Sequence, residues 1–282
     1  EKENLRLHEI AYASQLAEQQ ANVRAQRYWI AILGSAICLV LAVQLLWYLK
    51  RRNTQLLDQN LLLDRQRYLD GLTGLFNRLY YQDKFAELSK RIAQAVAQQR
   101  QFVVFLLDVD FFKQVNDNYG HDAGDAALKE VTRRLQLSVR ERDIVLRWGG
   151  EEFVVFSELP VDSDASLLAE RLRTEIAQQD WYYQQKKIAL RVSIGYACLP
   201  LYWRDGAALT LEMALKLADA ALYLAKRKGR NRSIGVTAIR QQNLSNEQIL
   251  ADLEAAWASQ QVQLLAKPET LLSSDESLAG LA

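Results

Sequence analysis

A glycine pair between two apolar runs is the feature that most constrains the fold of this 282-residue chain. Residues 143–146 and 153–156 are rich in β-formers, and Gly149 and Gly150 lie between them. Such an arrangement predicts a β-hairpin, because glycine adopts positive φ without a Cβ clash. A hairpin pairs its strands antiparallel, so the alternating helices and strands around it predict an α+β fold rather than a doubly wound parallel sheet.

Two acidic pairs are predicted to meet near this hairpin. Residues 102–107 form an apolar run that leads into Asp108 and Asp110, and period two places both carboxylates on one face at the strand end. The hairpin itself carries Glu151 and Glu152, which alone are equally well explained as polar residues of an exposed turn. Together the two acidic pairs predict a hard-cation site with oxygen ligands, suited to Mg²⁺.

Four motifs carry a resemblance to a known family. Residues 147–153, Arg-Trp-Gly-Gly-Glu-Glu-Phe, resemble the signature of the GGDEF family of diguanylate cyclases in its Glu form. Residues 70–78 resemble the family's opening motif, residues 108–125 its metal and guanine segment, and residues 220–231 its C-terminal helix. The four motifs occur in the family's order, which is far more specific than a lone Gly-Gly-Glu-Glu. The resemblance implies a central antiparallel sheet flanked by helices, like the palm of nucleotidyl cyclases and polymerases.

The resemblance also implies a reaction, in which two GTP molecules condense to cyclic di-GMP and two pyrophosphates. The 3′-hydroxyl of one GTP attacks the α-phosphate of the other, a transfer that requires positioning and charge neutralisation. By resemblance, Asp108, the backbone carbonyl of Val109 and Glu151 hold Mg²⁺ (or Mn²⁺). Glu152 lies near the attacking hydroxyl as a metal ligand or a proton acceptor, and it completes the catalytic set with Asp108 and Glu151. Asp110 is not placed among the metal ligands.

The GTP site implied by the resemblance draws on three parts of the chain. Its residues are Phe111, Phe112, Lys113, Lys226 and Arg230 at the terminal phosphates, Asn116 and Asp125 at the guanine, and Gly149 and Gly150 at the ribose and α-phosphate. An amide and a carboxylate can pair with the guanine O6 acceptor and the N1 and N2 donors. Lys226 and Arg230 share a helix face, and without the other motifs they are explained as a basic helix end that interacts with the dipole.

A further match lies before the hairpin. Residues 140–143, Arg-Glu-Arg-Asp, resemble the family's RxxD product-inhibition site, which implies that cyclic di-GMP is a feedback ligand at Arg140 and Asp143. From the residues alone, this pair is a surface ion pair that contributes little to stability.

Residues 28–49 form an apolar run of about 22 residues, which as a helix spans roughly 33 Å, close to the thickness of a bilayer core. Aromatic residues flank it, which favours a transmembrane helix over a buried core helix. Lys50, Arg51 and Arg52 follow, against Arg24 and Arg27 before it, so the C-terminal side is predicted to be cytoplasmic. We therefore expect an inner-membrane protein with its catalytic domain in the cytoplasm.

The predicted organisation has five parts: 1–27, the helical end of an upstream region; 28–49, transmembrane; 50–69, a helical stalk; 70–239, catalytic; and 240–282, a C-terminal helix and a disordered tail. Because the sequence begins with Glu1, we expect a piece of a longer protein. Helices are predicted at about 77–99, 122–140, 163–179 and 210–229, strands at 102–109, 187–198 and 232–238, and a strand–hairpin–strand at 143–158. Leucines 49, 56 and 63 predict a coiled coil or an amphipathic linker helix, and the resemblance favours a stalk that pairs a homodimer.

The C-terminal region follows a different pattern from the motifs. Residues 245–248 resemble a capping box, and the apolar residues that follow fit one helical face: Ile249, Leu253, Ala256, Trp257 and Val262.

Net charge and cysteine content indicate which kinds of partner and site the chain has no signal for. The formal net charge of +1 gives no indication of nucleic-acid binding, and Cys38 and Cys198 form neither a disulfide framework nor a zinc spacing. The motifs leave two functional hypotheses. The chain is either an active membrane-anchored cyclase or a catalytically inactive module that binds GTP or cyclic di-GMP as a receptor. Every motif carboxylate is present, which favours the enzyme.

Overall fold

The computed structural model of the chain describes residues 2–201, 208–240 and 246–267. The chain divides into two compact units, Glu1–Gln66 and Arg67–Ala282.

The described part of the first unit belongs to one continuous helix, α1 (Lys2–Arg67), whose last residue is the first of the second unit. Within the described residues, the segment Ser14–Leu56 of this helix is long and apolar enough to cross a membrane. The side chains of residues 57–65, on which the coiled-coil prediction partly depends, lie outside those that the structure describes. Both the membrane span and the coiled coil therefore remain predictions.

The second unit alternates strands and helices along the chain. In order, its elements are β1 (Phe76–Asn77), α2 (Arg78–Ala97), β2 (Arg100–Val109), α3 (Phe112–Tyr119), α4 (His121–Ser138), β3 (Ile144–Gly149), β4 (Glu152–Pro160), α5 (Ala165–Gln178), β5 (Trp181–Tyr183), β6 (Lys186–Ile188), β7 (Val192–Leu199), α6 (Leu211–Arg227), β8 (Ser233–Ile239), α7 (Asn246–Ala251), α8 (Leu253–Ala258) and β9 (Val262–Lys267).

Seven of the described strands form one sheet in the order β1-β3-β4-β2-β7-β8-β9, and β5 and β6 form a separate hairpin. β2 pairs antiparallel with β4 and β7, and β3 with β4. The predicted α+β fold with an antiparallel centre is therefore confirmed. The sheet as a whole is mixed, because β1 pairs parallel with β3 and β7 with β8.

The central strand β2 is buried on both faces. Phe102, Val104 and Leu106 belong to an apolar cluster that includes residues of α6. Val103 and Phe105, from the alternate positions, belong to a second cluster that includes residues of α4 and α5. Side chains that alternate along a strand point to opposite faces, so Asp108 continues the α6 face at the strand's end.

The structure differs from the predicted elements in several places, among them the short strands β1 and β5, which the sequence pattern did not indicate. Residues 112–119 form the additional helix α3, which ends at Gly120 (φ 86°). The single strand predicted at 187–198 is divided between β6 and β7. Val262, predicted on a helical face, lies in β9, which pairs antiparallel with β8 and satisfies the backbone groups along that edge.

The remaining C-terminal prediction is confirmed in part. Ile249, Leu253 and Ala256 are buried, as their helical spacing predicts, although Asp252 divides the segment into α7 and α8 by capping α8. Ser245 of the predicted capping box and the predicted disordered tail after Lys267 lie outside the described residues.

A buried arginine joins α4 to α5. Arg134 is 1% exposed, and its guanidinium donates to the carbonyls of Ile176 (2.6 Å) and Gln179 (2.9 Å) and to the carboxylate of Glu130 (2.7 Å). Hydrogen bonds from Arg133 and then Arg134 lower the pKa of Glu130 to about 2. Glu130 therefore keeps a buried cation paired where two helices meet.

We expect Glu130→Gln to lower the free energy of unfolding by about 2 kcal/mol at pH 7, because a buried guanidinium loses its charged partner. The folded-state pKa of Glu130 lies below its unfolded value, so this stabilisation is complete above about pH 5 and is lost as the pH falls toward 2. Denaturant unfolding between pH 7 and pH 3 measures the difference. Glu87→Gln, which removes an exposed carboxylate paired with Lys84, is the control. Equal effects of the two substitutions would contradict the role of Glu130.

Candidate active site

Three acidic side chains meet where β2 ends beside the β3–β4 hairpin. Asp108 of β2 is paired in register with Glu152 of β4, and the Val109 N–H donates to the Glu151 carbonyl at 3.2 Å. Asp108 is 5% exposed, and Glu151 and Glu152 are partly buried. The structure thus brings the predicted catalytic residues together at one end of the sheet.

The negative charges of this cluster oppose one another. Burial raises the pKa of Asp108, Glu151 and Glu152 above the ordinary range, and the charge of Asp108 raises the pKa of both glutamates further. Lys226 of α6 offsets part of this effect, with its Nζ 2.7 Å from Oδ2 of Asp108. Additional positive charge at the cluster would therefore be favourable.

The donor atoms of the cluster fit the predicted divalent cation. Carboxylate and carbonyl oxygens are the ligands that Mg²⁺ prefers, and Asp108, Glu151 and the Val109 carbonyl supply only oxygen. The described residues contain no group of three or more His, Cys, Asp or Glu side chains in metal-binding geometry. The predicted ligand set contains two such side chains and one backbone atom.

Asp110 has a different environment from Asp108. Its carboxylate accepts from Oγ of Ser193 at 2.7 Å and from the N–H of Asn231 at 2.9 Å. These two hydrogen bonds join the end of β2 to β7 and to the turn that follows α6. Asp110 therefore has a structural use that agrees with its omission from the metal ligands.

An arginine holds the hairpin turn in place. The guanidinium of Arg147 bonds both carboxylate oxygens of Asp70, at 3.0 and 3.2 Å, and donates to the Gly150 carbonyl at 2.8 and 3.1 Å. Gly150 has φ 45°, whereas Gly149 is not among the positive-φ residues. A Cβ at either glycine would meet no protein atom within 4 Å, so both lie beside open space. No local sequence pattern indicates this contact, although Arg147 and Asp70 each lie in a motif.

An aromatic contact supports the same hairpin from α2. The Trp148 ring packs edge-to-face on Tyr81 at 5.1 Å between centroids, and the Arg78 guanidinium lies 4.9 Å from the Trp148 ring centre. The charge of Arg78 also lowers the pKa of Glu152 in part. Arg78 thus packs on the hairpin and also opposes the rise in the pKa of Glu152. No sequence pattern indicated this role.

The predicted phosphate ligands surround the start of α3. This helix begins after Phe111 (φ 58°) and has no side-chain cap, so its first N–H groups are available to an anion. The Arg230 guanidinium lies 4.7 Å from the centre of the exposed Phe111 ring. Lys113 is exposed on the first turn, and Phe112 is buried beneath it.

The two predicted guanine ligands lie on neighbouring helices. Asn116 is on α3 and Asp125 is on the first turns of α4. A Cβ at Gly124 would lie 2.0 Å from Oδ1 of Asn116, so a larger residue at position 124 would displace the Asn116 side chain. The role of Gly124 was not predicted. An isolated glycine inside a helical pattern was the one sequence feature that could have indicated close packing there.

Arg140 and Asp143 lie at the other end of β3 from the hairpin. Their side chains do not form the surface ion pair that the residue types alone predict. The Asp143 carboxylate accepts from the backbone N–H of Arg140 (2.8 Å) and from Oγ of Ser157 (2.8 Å). This closes a turn and leaves the Arg140 side chain exposed. Arg140, Asp143 and Arg171 line a cavity of about 470 Å³.

Comparison with known proteins gives one consistent result. The family model described as "Diguanylate cyclase, GGDEF domain" matches residues 67–232. The chain is 38% identical over 203 residues to the bifunctional diguanylate cyclase/cyclic di-GMP phosphodiesterase MucR of Pseudomonas aeruginosa, covering 72% of this chain and 28% of that protein. It is 33% identical over 163 residues to diguanylate cyclase A of Treponema denticola, covering 58% and 43%. The chain thus spans less than half the length of these relatives.

Solved structures support the same relationship. The coiled coil and GGDEF domain of DgcB from Caulobacter crescentus, in complex with c-di-GMP, matches with a TM-score of 0.57 and 28% identity. The match covers 66% of this chain and 94% of that one.

We expect Mg²⁺ to raise the unfolding temperature of the chain, because a cation relieves the repulsion within the carboxylate cluster. Glu151→Gln removes one of the opposing charges, so without metal it should unfold about 1–3 °C above the parent at pH 7. The same variant should lose the Mg²⁺-dependent shift. Thermal unfolding followed by circular dichroism, with Glu87→Gln as control, measures both effects. A parent that is insensitive to Mg²⁺ would contradict the predicted cation site.

Proposed function

This chain belongs to the GGDEF family, whose model covers more than half of it, and on that premise we propose that it is a diguanylate cyclase that makes cyclic di-GMP from two GTP. The observation that carries the proposal is the cluster of Asp108, Glu151 and Glu152 beside the uncapped start of α3. Carboxylates that hold a cation next to a helix N-terminus that receives phosphate are what phosphoryl transfer requires.

In this proposal each residue near the cluster has a separate task. Asp108, Glu151 and the Val109 carbonyl would hold Mg²⁺ (or Mn²⁺), which would neutralise charge at the reacting phosphates. The terminal phosphates are bound by side chains and by backbone N–H groups at the start of α3: Phe111, Phe112, Lys113, Lys226 and Arg230. Glu152 is either a further metal ligand or the proton acceptor for the attacking 3′-hydroxyl.

Orientation of GTP depends on the guanine and on the hairpin. Asn116 and Asp125 pair with the guanine edge, and the close packing at Gly124 fixes the position of Asn116. Gly149 and Gly150, which lie beside open space, let the backbone approach the ribose and the α-phosphate. Correct placement of the reacting atoms provides a large part of such a rate enhancement.

One site of this kind holds one GTP, so joining two GTP molecules requires the site of a second protomer. We therefore place the chain in a homodimer that is paired through the C-terminal part of α1.

In the same proposal, the apolar segment within Ser14–Leu56 anchors the chain in the inner membrane, with the catalytic unit in the cytoplasm. The aromatic residues at both ends of residues 28–49 and the cations at 50–52 support this orientation.

The second candidate is an inactive module that binds GTP or cyclic di-GMP as a receptor. One neighbour is a complex with c-di-GMP, which supports binding of this ligand within the family. Binding alone would not require three mutually repelling carboxylates at one site, so the cluster favours turnover.

Incubation of the purified chain with GTP and Mg²⁺ should yield cyclic di-GMP and pyrophosphate, identified by chromatography and mass spectrometry. Asp108→Asn should lower kcat by at least about 100-fold, because it removes charge from the cation and phosphate site. Asp117→Asn, an exposed acid on α3, is the matched control and should retain parental turnover. GTP binding without product in the parent would favour the receptor. Near-normal turnover in Asp108→Asn would refute the assignment of that carboxylate.

We also expect product inhibition at Arg140 and Asp143. Cyclic di-GMP presents two phosphates and two guanines, and arginine recognises both by forked hydrogen bonds and by stacking. The cavity that these residues line with Arg171 lies at the opposite end of β3 from the hairpin, so inhibition should be noncompetitive with GTP. Initial rates against GTP at several fixed product concentrations measure it.

The matched variants for this inhibition are Arg140→Ala and Arg142→Ala, which remove the same charge two residues apart. Arg140→Ala should relieve inhibition without changing turnover in the absence of product, whereas Arg142→Ala should remain inhibited. Purely competitive inhibition of the parent would contradict a separate product site.

A further inference from the structure

The segment after the family match is an integral part of the catalytic unit. The family model ends at residue 232, whereas α7, α8 and β9 lie between residues 246 and 267. Ile249, Ala256 and Val262 of this segment are buried in the same apolar cluster as Leu217 and Ala221 of α6. The position of α6 therefore depends on residues that lie outside the family motifs.

One acidic residue of this segment contacts the end of α6. Oε1 of Glu254 lies 2.5 Å from Nζ of Lys228, and its Oε2 lies 3.4 Å from the guanidinium of Arg227. Lys226 and Arg230, on either side of these two cations in sequence, instead contact Asp108 and Phe111. Two of the four cations in residues 226–230 thus bind Glu254, and the other two lie at the candidate phosphate site.

The turn that follows α6 has a backbone that must be held by its surroundings. Gly229, Arg230 and Asn231 have φ of 108°, 62° and 46°, a left-handed run that is unfavourable for the two non-glycine residues. Asn231 is held by the hydrogen bond to Asp110 and by a bond from Arg173 to its side-chain oxygen (2.9 Å). Glu254 binds the residues that immediately precede this run.

The same segment borders the candidate active site. α6 and the residues from Leu250 to Glu254 line a cleft of about 590 Å³, and Glu152 also lines it. A displacement of α8 would therefore change the end of α6 and the surroundings of the catalytic carboxylates together.

We propose that Glu254 is a positioning residue for the phosphate-binding end of α6, an inference that rests on the proposed cyclase function. By binding Arg227 and Lys228, its carboxylate keeps these two cations from the triphosphate and fixes the helix end that carries Lys226. The triphosphate then meets Lys226 and Arg230 in one arrangement. Without Glu254, the released cations offer competing contacts, so GTP still binds but is more often misaligned for attack.

Glu254→Gln tests this in the full-length chain, with initial rates measured well below the unfolding temperature so that folding does not limit activity. We expect kcat to fall about two- to fivefold, the range for loss of a partly exposed ion pair, while KM for GTP does not rise. Glu247→Gln removes the same charge from an exposed position on α7 and should leave both constants unchanged. The exchange of charges in Lys228→Glu with Glu254→Lys re-forms the pair at the same net charge and should recover most of the lost kcat.

Three outcomes would overturn the assignment of Glu254 in an active parent: an unchanged kcat in Glu254→Gln, an equal fall in Glu247→Gln, or no recovery in the exchanged pair. A rise in KM at constant kcat would also overturn it, because Glu254 would then support ground-state binding alone. A parent that makes no cyclic di-GMP would overturn the proposed function itself, which is a separate result.

Discussion

The ion pair between Asp108 and Lys226 connects the end of the central strand to the helix that packs on it. β2 is the central strand and is covered on both faces, so the carboxylate at its end is almost fully buried. A buried carboxylate without a partner is strongly destabilising. Lys226 supplies that partner, which fixes the position of α6 along the sheet and places the following turn against Asp110 and Phe111. This contact therefore joins the site to the packing of α6, which the apolar cluster on the same face of the sheet also stabilises.

The carboxylate cluster itself lowers stability, and other contacts compensate for it. Glu151 and Glu152 lie beside Asp108, and the charge of Asp108 adds to the effect of burial in raising the pKa of both glutamates. The hairpin that carries them is held by Arg147 bound to Asp70, and by Trp148 packed on α2. These contacts fix the turn from outside the cluster, so the acidic side chains stay close although they oppose one another.

The elements that the sequence could predict are those determined by residues close together along the chain. The hairpin follows from two glycines between β-formers, and the buried β2 follows from an uninterrupted apolar run. The contact between Arg147 and Asp70 joins residues 77 positions apart, and no local pattern indicates it. Val262 fitted the helical spacing of Ile249 and Leu253, yet it lies in β9 because β8 offers an unpaired edge, which is a property of the assembled sheet. Likewise, the Asp143 carboxylate accepts from the backbone N–H of Arg140 and from Ser157 of β4, and no local pattern indicates the second contact.

Lys226 has two roles in the proposed reaction, and these roles connect the cation site at Asp108 to the phosphate site. Lys226 is bound to Asp108, and the proposed function requires it to bind a phosphate of GTP. If it leaves Asp108, a buried carboxylate loses its partner unless another positive charge takes that place. Phosphate binding by Lys226 and cation binding at Asp108 should therefore favour one another, and such coupling acts equally in both directions. Arg230 contacts the Phe111 ring and is not ion-paired with Asp108. Its charge opposes, to a smaller extent than that of Lys226, the burial that raises the pKa of Asp108, so Arg230 would replace Lys226 only in part.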